Sequence, residues 1–234
     1  MAEPFNNIDT VRKTYFINES ERSVDPADDA GKVPQLEADG KISGKFLREA
    51  NIVPYTASGT WTKPNGLRYI IVEGVGGGGG GGGGSSTTAK GGGGGGGYFR
   101  KKISAQDLAS TVSVTIGAGG SPHNVGGASS FGSHATANGG ASPGTTVGPR
   151  ELGAAGGTAT GGDVNIAGED GRNGITTIIS GDGGASFFGT SVNGISVNGN
   201  GLTGKVYGGG GSGCKDNNTG GAGAPGIIIV TEFY

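Results

Sequence analysis

Two stretches of the chain are unbroken runs of large apolar residues, Tyr69-Ile70-Ile71-Val72 and, near the far end, Ile227-Ile228-Ile229-Val230. Such runs read as strands covered on both faces, and their positions predict that the two ends of one domain pair in one sheet. The first run is reached through "YTASGTWTKPNGL", an alternating lead-in with Trp61 and a Pro64-Asn65-Gly66 turn. Farther on, Thr111, Ser113 and Thr115 alternate with Val112, Val114 and Ile116, the period of a half-buried strand. "YFRKKISAQDL" predicts another strand followed by a helical turn over residues 104–108. "GGASSFGSHATANGG" at 126–140 is echoed by "GGASFFGTSVNGISVNG" at 183–199, which puts Phe131 and Phe188 in equivalent places as core plugs. Trp61, Phe131, Phe188 and Ile228 are therefore the expected core anchors.

Between these elements lies glycine. Of 234 residues 57 are Gly, nine of them consecutive at 76–84 and seven at 91–97, and only 32% are hydrophobic. That is thin for a domain that must offset chain entropy with apolar burial. Glycine does not recur strictly every third residue, so a collagen triple helix is excluded. A flexible linker would not be bracketed repeatedly by well-patterned strands, and ordering each glycine costs up to about 1 kcal/mol relative to Ala. The alternative is a set of polyglycine helices in the polyproline II geometry, three residues per turn, with N–H and C=O groups paired between neighbours. The expected fold is mainly β, a small sheet or sandwich framework combined with packed polyglycine helices and long loops. An extended N-terminal arm precedes it.

In such a bundle the non-glycine interruptions become loops at 85–90, 121–124, 142–151, 169–173 and 214–219. The flanks of glycine helices are almost featureless, so recognition is expected on the loop tips. The expected binding residues are Ser85, Ser86, Thr87, Thr88, Lys90, His123, Asn124, Asp170, Arg172, Asn173, Lys215, Asp216 and Asn217. These loops lack the aromatic clusters of a sugar platform; Phe187-Phe188 comes nearest, with Phe188 assigned to the core.

Composition divides the chain near residue 53. Residues 1–53 hold three glycines and 17 of the 36 charges. There "TVRKTYFIN" reads as a short strand or helix, and Pro, Asp and Gly punctuate three short apolar groups in "DPADDAGKVPQLEADGKISGKFLREAN". That spacing suits an attachment arm over 1–53 ahead of a glycine-rich β domain over 54–234.

Chemistry is sparse. One cysteine, Cys214, gives no disulfide framework and no cysteine-based zinc site. His123 and His134 have no partner at ligand spacing, so no metal and no cofactor are expected. Residues 199–206 nearly spell a phosphate loop, but Val206 stands where a magnesium-binding hydroxyl belongs. Glu169-Asp170 are adjacent rather than convergent across a cleft, and residues 170–174 read as a turn. Arg100-Lys101-Lys102 reads as one exposed strand face, and Lys215 beside Cys214 would lower the thiol pKa. A formal charge of −2 gives nothing to draw nucleic acid. The N-terminal residues show no secretory leader, and no apolar run approaches the roughly 20 residues of a membrane span.

"GTWTKPNGLRYIIVEGVGGGGGGG", "GGGGGGGYFRKKISAQDLASTVSVTIGAGG", "GGASSFGSHATANGG" and "GAGAPGIIIVTEFY" occur in that order, and over residues 55–234 the chain resembles the glycine-rich terminal domain of tailed-bacteriophage tail fibre and receptor-binding proteins. "DAGKVPQLEADGKISGKFL" resembles a connector of phage fibres. The resemblance implies a non-enzymatic adhesin of the virion, made in the host cytoplasm, with binding loops at the tips of polyglycine helices. It implies a homotrimer, contacts with other tail, baseplate or fibre proteins through residues 1–53, and a host surface glycan or outer-membrane protein as receptor. A structural or decoration protein of the virion is the alternative. A polysaccharide-degrading tail protein would need convergent carboxylates, and ice binding would need flat Thr or Ala ladders.

Overall fold

The computed structural model describes residues 50–84, 88–143, 152–175 and 178–234. The expected arm over 1–53 lies outside the described residues as far as residue 49, and its end needs correction. β1 (Asn51–Tyr55) pairs along its whole length with the C-terminal strand β10 (Ile227–Phe233). The boundary expected after residue 53 therefore cuts a strand. Glycine content marks where the array begins; β1 joins earlier because Val53 and Tyr55 pack against the core.

Two five-stranded antiparallel sheets form the framework. One has the order β1-β10-β3-β4-β9, with β3 at Tyr69–Val75, β4 at Tyr98–Ser104 and β9 at Val164–Ile166. The other has the order β2-β5-β6-β7-β8, with β2 at Gly59–Thr62, β5 at Thr111–Thr115, β6 at Ser129–Phe131, β7 at Ala135–Ala137 and β8 at Ala159–Thr160. A 3-10 turn at Ala105–Asp107 follows β4. The two apolar runs do pair, from Ile227 opposite Val75 to Phe233 opposite Tyr69. Their burial alternates, however: Ile70, Val72, Ile228 and Val230 are buried while Tyr69, Ile71, Ile229 and Thr231 are only half-buried. The larger core thus lies on one face of this sheet, while on the other Val75, Tyr98 and Ile227 form a smaller buried cluster, so that the sheet is covered on both faces at that end.

That core is built from the inward positions of both sheets. Trp61 and Phe131 meet edge to face at 5.7 Å, and Phe99, Val112 and Val114 pack around them. Glu232 of β10 is buried, and its Oε1 accepts a hydrogen bond from Trp61 Nε1 at 2.8 Å across the sheets. Its Oε2 accepts from Asn51 Nδ2 at 2.7 Å and from the Tyr234 hydroxyl at 3.0 Å. A buried carboxylate is tolerable when its lone pairs are filled in this way.

Phe188 does not share the role of Phe131. Phe131 is fully buried, whereas Phe188 is 36% exposed. The first copy of the echoed stretch folds into β6 and β7 with Phe131 opposite Ala135, while the second forms no named strand and carries two isolated bridges, Gly183 to Val192 and Gly199 to Lys215. Local sequence likeness did not carry the tertiary neighbours with it. His134 lies in the turn between β6 and β7, its ring tilted against Phe131 at 6.0 Å.

The remaining chain forms an array of extended glycine-rich segments outside any strand ladder. Its hydrogen bonds repeat every third residue. Gly76, Gly79 and Gly82 donate to the carbonyls of Gly97, Gly94 and Gly91; Gly77 and Gly80 to Gly127 and Asn124; Gly78 and Gly81 to Ala224 and Gly221. The segment 89–97 does the same with other neighbours: Gly92 and Gly95 donate to Arg172 and Glu169, Gly93 and Gly96 to Gly211 and Gly208, Gly94 and Gly97 to Ala141 and Asn138. Each of these two segments is therefore surrounded by other backbone in three donating directions. A Cβ on Gly79 would lie 1.9 Å from Ala141 O, one on Gly80 2.1 Å from Ser121 O, and one on Gly81 2.0 Å from Ser212 O. Only glycine fits a segment packed on all sides at that spacing.

Candidate functional site at the tip of the array

Six out-and-back excursions leave the sandwich. The chain runs out along 76–84 and returns along 89–97, then out along 117–121 and back along 124–128, and the pattern repeats through 138–158, 168–186, 190–205 and 208–226. The described reversals at 121–124, 196–200 and 214–219 thus gather at one end, while β1 and β10 hold the first and last described strands at the other.

The tip is knitted by specific bonds. Gly83 N–H donates to His123 Nε2 at 2.9 Å, and Gly84 N–H to Asn218 O at 3.1 Å. Asn218 Nδ2 donates to Asn198 Oδ1 and to Lys215 O, and Lys215 Nζ donates to Ser196 O at 2.9 Å. Thr219 N–H donates to Asn200 Oδ1 at 3.0 Å. His123 (φ 65°) and Asp216 (φ 59°) hold left-handed backbone that non-glycine residues rarely adopt, and both lie in these reversals. Asn124 closes its own turn by donating to Ser121 Oγ and Pro122 O. His123, Asn124 and Asn217 are exposed, and Lys215 and Asp216 half-buried.

The other expected binding residues are placed differently. Ser85, Ser86 and Thr87 lie outside the described residues, and Thr88 is half-buried. Lys90 is buried: its N–H donates to Cys214 O at 3.0 Å and its carbonyl accepts from Gly181 at 2.8 Å, so it is the start of the inward segment and not loop. Asp170, Arg172 and Asn173 lie on the flank, not at a turn. Asp170 Oδ1 accepts from Gly156 N–H and Asn173 Oδ1 from Gly153 N–H, each at 2.8 Å, while Arg172 Nε lies 3.6 Å from Asp182 Oδ2. The physical reason is the spacing Gly168, Gly171, Gly174: glycine faces inward every third residue, and the polar residues between face out or cap neighbouring amides.

The basic cluster on β4 is likewise split. Arg100 and Lys102 are exposed on the outer face, while Lys101, on the opposite face, donates to Gly161 O. Cys214 is fully buried with its thiol 3.0 Å from Asn218 O, and burial pushes its pKa up. The opposing charge is that of Lys90; Lys215 reaches Ser196 instead.

Sequence reasoning missed the apolar members of this end. Val125 (66% exposed), Leu152 (65%), Ile178 (65%) and Val197 (69%) flank the reversals. The signal was present as isolated large apolar residues beside glycine segments, outside any strand pattern. Among the described residues no three His, Cys, Asp or Glu side chains gather where they could hold a metal ion. The tip presents amides, hydroxyls, an imidazole and apolar side chains on bonded backbone, an arrangement suited to surface complementarity.

Comparison with the curated proteins gives no match. The profile of the glycine-rich domain family matches residues 54–231. From the turn-bearing lead-in to the last strand, the chain belongs to the glycine-rich domain family.

Proposed function

We propose that the protein is a bacteriophage tail fibre or receptor-binding protein, an adhesin that attaches the virion to the host cell surface through the tip of its glycine array. The observation that carries this reading is the division of the domain into two ends. Along residues 76–81 and 91–97 an added Cβ would meet neighbouring backbone, so chemical variety is displaced from these central segments toward the described reversals opposite the sandwich, where the described chain begins and ends. A passive stalk with a polymorphic tip is what attachment needs, and weak sites repeated on one particle combine into tight binding. The segments are, on this reading, polyglycine helices of the polyproline II type; their three-residue hydrogen-bond period supports it. Residues 1–53 anchor the chain to other tail, baseplate or fibre proteins, and a homotrimer supplies multivalency.

The test is adsorption of the full chain to candidate host cells, beside a variant whose 121–124 and 215–219 reversals are replaced by glycine and serine. Saturable binding lost in the folded variant supports the adhesin. Wild-type chain that assembles onto particles yet never adsorbs moves the function to a structural or decoration role.

A further inference from the structure

Phe187 and Phe188 lie away from the tip, where the returning segment 180–186 reaches the sandwich. Phe187 is stacked on the buried Tyr98 of β4, 3.9 Å between centroids and 19° between planes. Phe188 stands edge-on to both rings, at 75° to Phe187 and 89° to Tyr98. Tyr98 thus backs one face of Phe187, yet Phe187 remains 53% exposed. Trp61, Phe99 and Phe131, by contrast, are fully buried. Two fixed aromatic walls left in water are a costly surface unless something covers them.

The rim is polar and carries both signs. The Tyr98 hydroxyl donates to Glu73 Oε1 at 2.6 Å. Burial and that Glu73 bond push the phenol pKa up, and the positive charge of Arg100, two residues along the same face of β4, opposes them. Glu73 and Arg100 are cross-strand partners. An anion would be drawn by one and repelled by the other, whereas a polyol can donate to the first and accept from the second.

We propose that this corner is a carbohydrate platform that takes a neutral pyranoside unit of a polysaccharide. A pyranose has an apolar C–H face and a rim of hydroxyls that both donate and accept; the flat ring of Phe187 meets the first, and Glu73 with Arg100 meets the second. Phe188 bounds the unit on one side. The site is separate from the tip and stands whether or not the tip binds a receptor.

The experiment is native affinity electrophoresis of the full chain in gels containing dextran, mannan, galactan or a soluble β-glucan. The expected result is retardation by at least one of the four, weakened about tenfold or more by Phe187→Ala and kept by Phe187→Tyr. The variant with replaced tip reversals is retarded like the wild type, which keeps this test independent of cell adsorption. No retardation in any of the four overturns the proposal, as does retardation that survives Phe187→Ala. Self-association in sedimentation that Phe187→Ala abolishes also overturns it, by showing a second copy as the occupant.

Discussion

A single carbon atom separates what this interior accepts from what it rejects. Gly79→Ala would put a Cβ 1.9 Å from Ala141 O, against backbone that is itself bonded on other sides. We expect it to destabilise the domain by about 3 kcal/mol, read as a drop in urea midpoint. Ala155→Ser, an exposed position of the same array, changes stability by no more than about 0.5 kcal/mol. Cys214 gives a pH signature. Its folded pKa is raised by burial, so the folded state holds the thiol proton more tightly than the unfolded chain does. Its contribution is complete below the unfolded value and is lost as pH rises toward the folded one. The wild type therefore loses stability relative to Cys214→Ala from about pH 8.5 upward, and equilibrium unfolding at stepped pH measures the difference. At this scale much was legible: Trp61, Phe131 and Ile228 sit at buried positions of period-two patterns. Phe188 was not, because an echoed motif fixes local letters and leaves open which segment packs over them.

For whole segments, a run of identical residues has no register of its own, and its neighbours must supply one. An extra glycine inserted in residues 76–84 leaves the packed positions filled with glycine and passes the surplus beyond the exposed Gly84, at about 0.6 kcal/mol or less. Deleting one from 91–97 draws Lys90 into the place of Gly91, where a Cβ meets Leu152 O at 2.2 Å. We expect the deletion to cost several times the insertion, and paired urea melts of the two variants check it. The same geometry explains which parts of the array could be read in advance. Exposed non-glycine residues recur three apart, at Ala118 and Ser121, at Leu152, Ala155 and Thr158, and at Glu169 and Arg172. That period marks a segment with one or two sides open to water. Residues 170–173 look like a loop only when polarity is weighed without it, and Lys90 looks like one because a charged residue ends the glycine run. Strand β1 escaped for a different reason: its partner lies at the opposite end of the sequence.

Across the whole molecule, backbone takes over work that side chains do elsewhere. Every amide of residues 76–82 is donated to another segment. A glycine linker would exchange its amide hydrogens almost at once, whereas opening these requires parting the array from the sandwich that brackets it. Hydrogen exchange followed by mass spectrometry or NMR is expected to show residues 76–82 protected about as long as the Ile70 and Val230 strand amides; exchange at linker rates would contradict the packed array. The two central segments return directly into β3 and β4, so the sandwich holds their roots while the reversals stay exposed. A further consequence is thermal. Unfolding hydrocarbon raises heat capacity, and unfolding peptide groups lowers it. A molecule in which so much of the interior is peptide has a small net heat-capacity change for its length, and so a shallow curve of stability against temperature. Its fold weakens little on cooling, where domains held mainly by apolar cores lose their driving force.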